Sequence, residues 1–137
     1  MDNITPLDRE YFFQASMLIS QTDLSGTITY VNRKFCEVSG YKREDLVGQN
    51  HNIIRHPDMP QAVFKKMWSS ISSGQAWNGL IKNLRPDGLY YWVDTEVIPI
   101  HDENDLLTGY ISARKVASKK DIDENQELYA KMLQTQE

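Results

Sequence analysis

The stretch from Gly48 to Asn83 constrains the fold more than any other part of the chain. Pro57 and Pro60 exclude a long helix before residue 60, because proline cannot donate a helical hydrogen bond and restricts the residue before it. Residues 77–83 read as a strand. Between them, apolar residues recur at helical spacing from Gln61 to about residue 73, namely Val63, Phe64, Met67, Trp68 and Ile71. The stretch is therefore predicted to form a loop, an amphipathic helix and a strand.

Two tryptophans and a polar cluster next to this helix predict one wall of a pocket for a flat aromatic ligand. Trp68 lies on the apolar face of the helix, Trp77 begins the strand and Asn83 ends it, while residues 55–58 supply the cluster Arg-His-Pro-Asp. Such a pocket needs apolar walls and a few polar groups at one edge. The alternatives are core packing for the tryptophans, a surface position for Asn83, and a turn held by an Arg–Asp ion pair within residues 55–58.

Turn signals divide the rest of the chain into strands and short helices. Strands are predicted at residues 17–22 and 27–31, and later at residues 89–100 and 106–116. A helix is predicted from Arg33 to Ser39, followed by a second short helical segment that Gly48 ends. Two strands, a run of short helices and three further strands linked by hairpins give an α+β domain.

The composition changes at both ends of this domain, which spans residues 16–117. Residues 1–15 are predicted to form an N-terminal cap segment, in which Thr5-Pro6 resembles a helix start. The aromatic residues 11–13 are expected to dock this segment onto the domain. Residues 118–137 are predicted to form a charged C-terminal linker helix outside the core, because its apolar positions are sparse.

Composition and charge exclude several classes of protein. The chain has 137 residues, enough for one domain, and a net charge of -4 without a basic stripe, which argues against a nucleic-acid partner. A single cysteine, Cys36, allows neither an internal disulfide nor a thiolate metal cluster and fits a reducing compartment. No apolar run is long enough for direct membrane insertion. The chain is therefore expected to be cytoplasmic, and membrane association through a larger parent protein or a partner stays open.

Short motifs in both halves of the chain resemble those of PAS domains. Residues 23–26 (Asp-Leu-Ser-Gly), 30–32 (Tyr-Val-Asn) and 39–41 (Ser-Gly-Tyr) are similar to the N-terminal part of the PAS signature, and Gly88, Tyr91-Trp92 and Gly109-Tyr110 to the C-terminal part. The resemblance covers roughly residues 15–117. It implies the PAS fold, a five-stranded antiparallel sheet with short helices covering one face and a C-terminal linker helix.

Within the PAS domains, the run from His51 to Asn83 is similar, almost position by position, to the sensory domain of Aer-type aerotaxis receptors. That resemblance implies non-covalent binding of FAD and a role as a redox sensor in energy taxis. It further implies a signalling or methyl-accepting chemotaxis module as the partner, in cis or in trans. A PAS homodimer is a second partner consistent with the family. The chain is not expected to be an enzyme, since neither a nucleophile–base set nor a metal site is legible.

The resemblance also names the residues expected to bind the cofactor: Asn32, Arg55, His56, Asp58, Trp68, Trp77, Asn83 and Ser112. A guanidinium fits phosphate well, so Arg55 is assigned to the FAD pyrophosphate. His56 has an ordinary pKa near the working pH and is expected to respond to flavin protonation. Asn83 and Ser112 are expected beside the flavin ring. For Asn32 the alternative is a helix cap.

Two other functions remain open at this point. The first is a heme-binding PAS gas sensor with His51 or His56 as the axial ligand, because histidine ligates heme iron well. The second is a cofactor-free PAS dimerisation module, in which the tryptophans and asparagines serve only packing.

One known flavin chemistry is not expected. In light-sensing LOV domains, the cysteine of an Asn-Cys-Arg motif attacks the flavin at the point where this chain has Asn50-His51-Asn52. Cys36 lies on an earlier predicted helix. Covalent photochemistry of that kind should therefore be absent.

Overall fold

The sheet of this chain has five antiparallel strands. The computed structural model describes residues 4–14 and 16–135. Across the sheet the strands follow the order β2-β1-β5-β4-β3, with β3 at one edge. The predicted five-stranded antiparallel sheet is therefore confirmed. Its strands are β1 (Leu18–Thr22), β2 (Ile28–Val31), β3 (Trp77–Leu84), β4 (Tyr90–His101) and β5 (Leu107–Val116).

Short helices fill the connection between β2 and β3, as predicted, and they pack against one face of the sheet. They are α1 (Arg33–Ser39), α2 (Arg43–Leu46), a 3-10 turn (His51–Ile54) and α3 (Gln61–Ser72), and α4 (Lys119–Gln134) follows β5. Asn32 caps α1, because its side-chain oxygen accepts the amide hydrogen of Phe35 at 2.9 Å. Pro60 directly precedes α3, where the loop stops and the periodic apolar residues begin.

The core lies between these helices and the inner face of the sheet. Tyr91, Val93, Thr95 and Val97 alternate along β4 and are all buried on that face. Period-two alternation predicts this arrangement for a strand with one face on a core. The helical side contributes a second set of buried residues, Phe35, Val38, Leu46, Ile54, Val63 and Phe64.

The N-terminal segment is extended, so the helix start predicted at Thr5-Pro6 is wrong. Its backbone pairs with the turn that leads into β4: the amide of Leu7 donates to the carbonyl of Gly88, and Glu10 pairs with Tyr90. These tertiary hydrogen bonds outweigh the local preference of Thr5-Pro6 for a helix start, because no periodic apolar face follows it. Tyr11 and Phe13 pack against the core, as the predicted docking of this segment requires. Phe12 does not, since it is 80% exposed.

The C-terminal helix α4 forms as predicted, but it packs against the outer face of the sheet and contributes to the core. Tyr129 is buried and stacks on Trp92 with ring centroids 6.2 Å apart. Ile122 and Met132 flank it at helical spacing and pack against the same cluster. The predicted position outside the core is therefore wrong for this face, because Tyr129 completes an apolar stripe with Ile122 and Met132. Among residues 4–14 and 16–135, no helix combines the length and hydropathy needed to cross a membrane.

Candidate functional site

A cavity opens between the inner face of the sheet, α3 and the 3-10 turn. It has a volume of about 70 Å³ and is partly open to solvent. Apolar residues from α3, the 3-10 turn and the sheet form its walls, and polar residues come from the same turn and from the strands. The walls are lined by Ile54, Phe64, Met67, Trp68, Ile71, Ile81, Val97 and Tyr110, and the polar side by His51, Arg55, Asn83, Thr95, Ser112 and Arg114, while Thr22, Asn50 and Asn52 also line the cavity.

Trp68 forms the aromatic wall near the turn between β1 and β2. Its indole meets the ring of Tyr110 edge to face, with centroids 5.6 Å apart. On the other side, Gly26 has a φ of +88°, and a Cβ built there would lie 3.2 Å from the indole. Glycine therefore suits this position for two reasons: it adopts the positive φ without strain, and it leaves space for the indole of Trp68.

Arg114 brings a buried positive charge to the polar side of the cavity. One terminal nitrogen donates to the Ser20 hydroxyl at 3.0 Å, and the other lies 3.0 Å from Nε2 of His51. A guanidinium cannot accept hydrogen bonds, so Nε2 must be the acceptor. Burial, followed by the charge of Arg114, lowers the pKa of His51 to about 3, and burial lowers the pKa of Arg114 to about 10. Near neutral pH, His51 is therefore uncharged and Arg114 is cationic.

The same side of the cavity holds polar atoms without a partner. Among the described residues, Oγ1 of Thr95 and Nε of Arg55 and Arg114 have no hydrogen-bond partner, and Nδ2 of Asn83 has none beyond a weak contact with the Tyr91 side chain. Three of these atoms are donors, and the hydroxyl can donate. No acidic side chain appears in the described lining of the cavity. Because a buried polar group without a partner is costly, the arrangement suits a ligand edge rich in hydrogen-bond acceptors.

Arg55 lies at the mouth of the cavity, held by its neighbours. Its guanidinium carbon lies 3.6 Å from the centroid of the Phe64 ring, a cation–π contact with α3. Its backbone forms an isolated antiparallel bridge with Asn83 on β3. Burial lowers the pKa of Arg55, but a guanidinium remains charged at neutral pH.

Residues 28–114 match the PAS fold family. The chain belongs to that family. It is 43% identical over 112 residues to the aerotaxis receptor of Escherichia coli (strain K12), covering 82% of this chain and 22% of the receptor. It is 32% identical over 102 residues to the nitrogen fixation regulatory protein of Klebsiella pneumoniae, covering 74% and 21%. The chain thus spans about a fifth of the length of these relatives.

Solved structures agree with this fold. The PAS domain of a protein from Colwellia psychrerythraea matches with a TM-score of 0.68 and 27% identity, over 75% of this chain and 87% of that one. The light-state structure of the blue-light photoreceptor Aureochrome1 LOV matches with a TM-score of 0.71 and 21% identity, over 85% and 91%, and this match concerns the fold alone.

The PAS domain brings half of the predicted site residues together. Arg55, Trp68, Asn83 and Ser112 all line the cavity. Asn32 does not, and its amide is occupied at the start of α1, where it accepts from Ile19 and Phe35 and donates to Met17. A cofactor-binding role stays a prediction for each of these residues.

Trp77, His56 and Asp58 also lie outside the cavity lining. Trp77 packs at the start of β3 beside Ile71 and Val97. Nδ1 of the buried His56 accepts the backbone amide hydrogen of Asp58 at 3.0 Å, and the Asp58 carboxylate lies 3.0 Å from Nζ of Lys82. The ion pair of Asp58 is thus formed with Lys82, not with Arg55 as the alternative reading of this loop had it.

Sequence reasoning missed Thr95 and Arg114, and it left His51 out of the predicted cofactor-binding residues. Strand alternation carried the missing signal, because Ser112 and Arg114 occupy the same face of β5, as Asn83 and Ile81 do on β3. Applied to the last strand, that rule would have placed an arginine side chain in the core, where a charged residue calls for a functional explanation.

Proposed function

We propose that this PAS domain is a cytoplasmic FAD-binding sensor that detects redox state or oxygen availability. In this proposal it passes its signal to a chemotaxis signalling module, in cis or in trans, and it is not an enzyme. The similarity to an aerotaxis receptor supports a chemotaxis signalling module as the recipient of the signal. The observation that carries the cofactor assignment is the set of unpartnered donors and the buried Arg114 at one side of an apolar cavity.

The chemistry of a flavin ring fits these residues. Its flat tricyclic body needs apolar faces, which Trp68 and the aliphatic walls supply. Its pyrimidine edge carries carbonyl oxygens and unprotonated ring nitrogens, which accept hydrogen bonds, and one ring N–H between the carbonyls, which donates. Asn83, Thr95 and Arg114 offer donors toward such an edge, and the charge of Arg114 favours electron density there. Arg55 at the mouth would take the phosphate groups.

The response to reduction would rest on this chain's own amides and hydroxyls. A bound flavin supplies a ring that gains electrons and protons on reduction, which changes the hydrogen bonding that its neighbours must provide. The Asn83 amide can meet that change by rotating, since rotation exchanges a donor for an acceptor at the same place. Ser112, on the strand that pairs with β4, can reorient its hydroxyl in the same way.

A path from Asn83 to the outer face of the sheet is short. Lys82, the residue directly before Asn83 on β3, points to the opposite face and is also buried. Its ammonium lies 4.3 Å from the Tyr90 ring centroid, and its backbone carbonyl accepts from the amide of His56. A shift of β3 would therefore reach the N-terminal segment, which pairs with Tyr90, and α4, which bonds to β3. A coupling of about 1–3 kcal/mol is sufficient for a switch of this type.

An absorption spectrum of the purified protein tests the proposal. Bound flavin gives two broad bands in the near-ultraviolet and the blue, and mass analysis of the released cofactor distinguishes FAD from smaller flavins. An intense Soret band would instead support the heme-binding gas sensor. A protein with neither flavin bands nor a Soret band would support the cofactor-free dimerisation module.

The geometry favours flavin over heme. An axial ligand needs a free imidazole nitrogen, but Nε2 of His51 accepts from Arg114 and lies 2.9 Å from the Ser20 hydroxyl. His56 lies outside the lining of the cavity.

A further inference from the structure

A second depression lies on the outer side of α3, and it meets the inner cavity at three residues. Arg55, Phe64 and Trp68 line both spaces. The outer groove is open and has a volume of about 480 Å³. At this shared border the Arg55 guanidinium stacks on the Phe64 ring at 3.6 Å. A ligand with a flat part inside and a flexible tail can therefore occupy both spaces by passing these side chains.

The outer groove combines the aromatic residues Phe64 and Trp68 with polar and cationic side chains. Its remaining lining residues are Gln61, Lys65, Ser69 and Ser72, which follow one another at intervals of four, four and three residues along a single face of α3. At 1.5 Å per residue, this stripe extends over roughly 16 Å. No acidic side chain belongs to the described lining of the groove, although the whole chain carries a net charge of -4.

Charge and length together indicate the kind of tail that fits. Lys65 and Arg55 are the cations of the groove, and both are suited to phosphate oxygens, Arg55 as a fork and Lys65 as a point charge. A single phosphate beside Arg55 would leave most of the stripe without a contact. A diphosphate that continues into a nucleoside would reach Lys65 and the hydroxyl-bearing turns beyond it.

We propose that the groove along α3 binds the diphosphate–nucleoside tail of the ligand, and that Lys65 sets the preference for a dinucleotide over a mononucleotide or an unphosphorylated flavin. This inference rests on the proposed flavin function and adds a second binding surface to it. Trp68 then separates the ring from the tail, and Arg55 marks the point where the tail leaves the cavity.

The test compares the dissociation constants of FAD, FMN and riboflavin for the flavin-free chain, measured by fluorescence titration. Wild-type protein should bind FAD most tightly. Lys65→Gln should weaken FAD binding by about threefold to fivefold, the equivalent of an exposed ion pair, and leave riboflavin binding unchanged. Added salt should reduce the same preference, because the contact is solvent-exposed.

Two variants control this experiment. Lys66→Gln removes the same charge from the adjacent residue of α3, which does not line the groove, and it should retain the FAD preference. Lys65→Arg keeps the charge and should also retain it. Equal ratios of FAD to riboflavin affinity in wild-type and Lys65→Gln proteins would overturn the inference, as would an equal loss in Lys66→Gln. A wild-type protein that binds none of the three flavins would instead overturn the proposed function itself.

Discussion

The phenol of Tyr129 donates a 2.7 Å hydrogen bond to the backbone carbonyl of Leu80. This contact ties α4 to the edge strand of the sheet, and stacking of Tyr129 on Trp92 reinforces it. Since β3 also carries Asn83 into the cavity, one strand touches both the candidate cofactor site and the C-terminal helix.

Tyr129→Phe should loosen α4 without unfolding the domain. The ring keeps its stacking, but the Leu80 carbonyl loses its buried partner at a cost of about 1–2 kcal/mol. Hydrogen exchange should show reduced protection in α4 and little change in β4 and β5. Tyr30→Phe is the control, because Tyr30 is exposed, and it should leave α4 unchanged. Full protection of α4 in Tyr129→Phe protein would contradict a role for this bond.

Trp68→Ala should weaken flavin binding, whereas Trp77→Ala should not. Trp68 lines the cavity, whereas Trp77 packs outside its lining. Comparing the two variants therefore distinguishes the loss of a ligand contact from the loss of a buried aromatic side chain in general. The expected loss for Trp68→Ala is about 2 kcal/mol, or roughly thirtyfold in affinity. Flavin titration of both folded variants measures it. Equal affinity in the two variants would assign Trp68 to packing alone.

Asn83 should set the response of the site to reduction. Asn83→Leu removes both donor and acceptor, and Asn83→Asp replaces the donor by a charge, so each should shift the flavin potential or uncouple reduction from protection of α4. The measurements are a redox titration and hydrogen exchange in both redox states. Asn78→Leu, on the outer face of the same strand, should behave as wild type. If the flavin potential and the hydrogen-exchange protection of α4 are the same as in the wild-type protein, the signal is transmitted through a contact other than Asn83.

The stability of the domain should fall as the pH decreases from 6.5 toward 3. Burial lowers the pKa of His51 to about 3, so over this range the unfolded chain binds a proton that the folded chain excludes. Burial also lowers the pKa of His56, which contributes with the same sign. The slope in urea unfolding is at most ~1.4 kcal/mol per pH unit for each histidine.

His51→Gln should flatten this slope, because glutamine cannot titrate. His101→Gln provides the matched control, since His101 is exposed at the end of β4 and its replacement removes no buried imidazole. A slope that is identical in wild-type and His51→Gln proteins would show that other groups account for the pH dependence.

Blue light should produce no flavin–thiol adduct. Cys36 lies on α1 and outside the cavity lining, and burial raises the pKa of its thiol, which disfavours the attacking thiolate. Illuminated wild-type and Cys36→Ala proteins should have the same spectra. A persistent adduct band in wild-type protein that is lost in Cys36→Ala would contradict the assignment.

The sequence by itself determined the five strands, the helices that follow β2 and β5, and the part of one cavity wall that Trp68 forms. Prolines and glycines delimit the helices, period-two alternation buries one face of β4, and helical spacing directs Trp68 inward. These are local properties, because backbone geometry and side-chain period follow from neighbouring residues.

Tertiary structure alone decided which polar residues meet. Asp58 pairs with Lys82 although Arg55 is closer in sequence, and Arg114 reaches His51 across 63 positions of the chain. Tyr129 likewise finds its acceptor on a strand far earlier in the sequence. Such pairs depend on the order of strands in the sheet and on the face toward which each side chain points. A buried polar group takes whichever partner the fold brings within hydrogen-bonding distance.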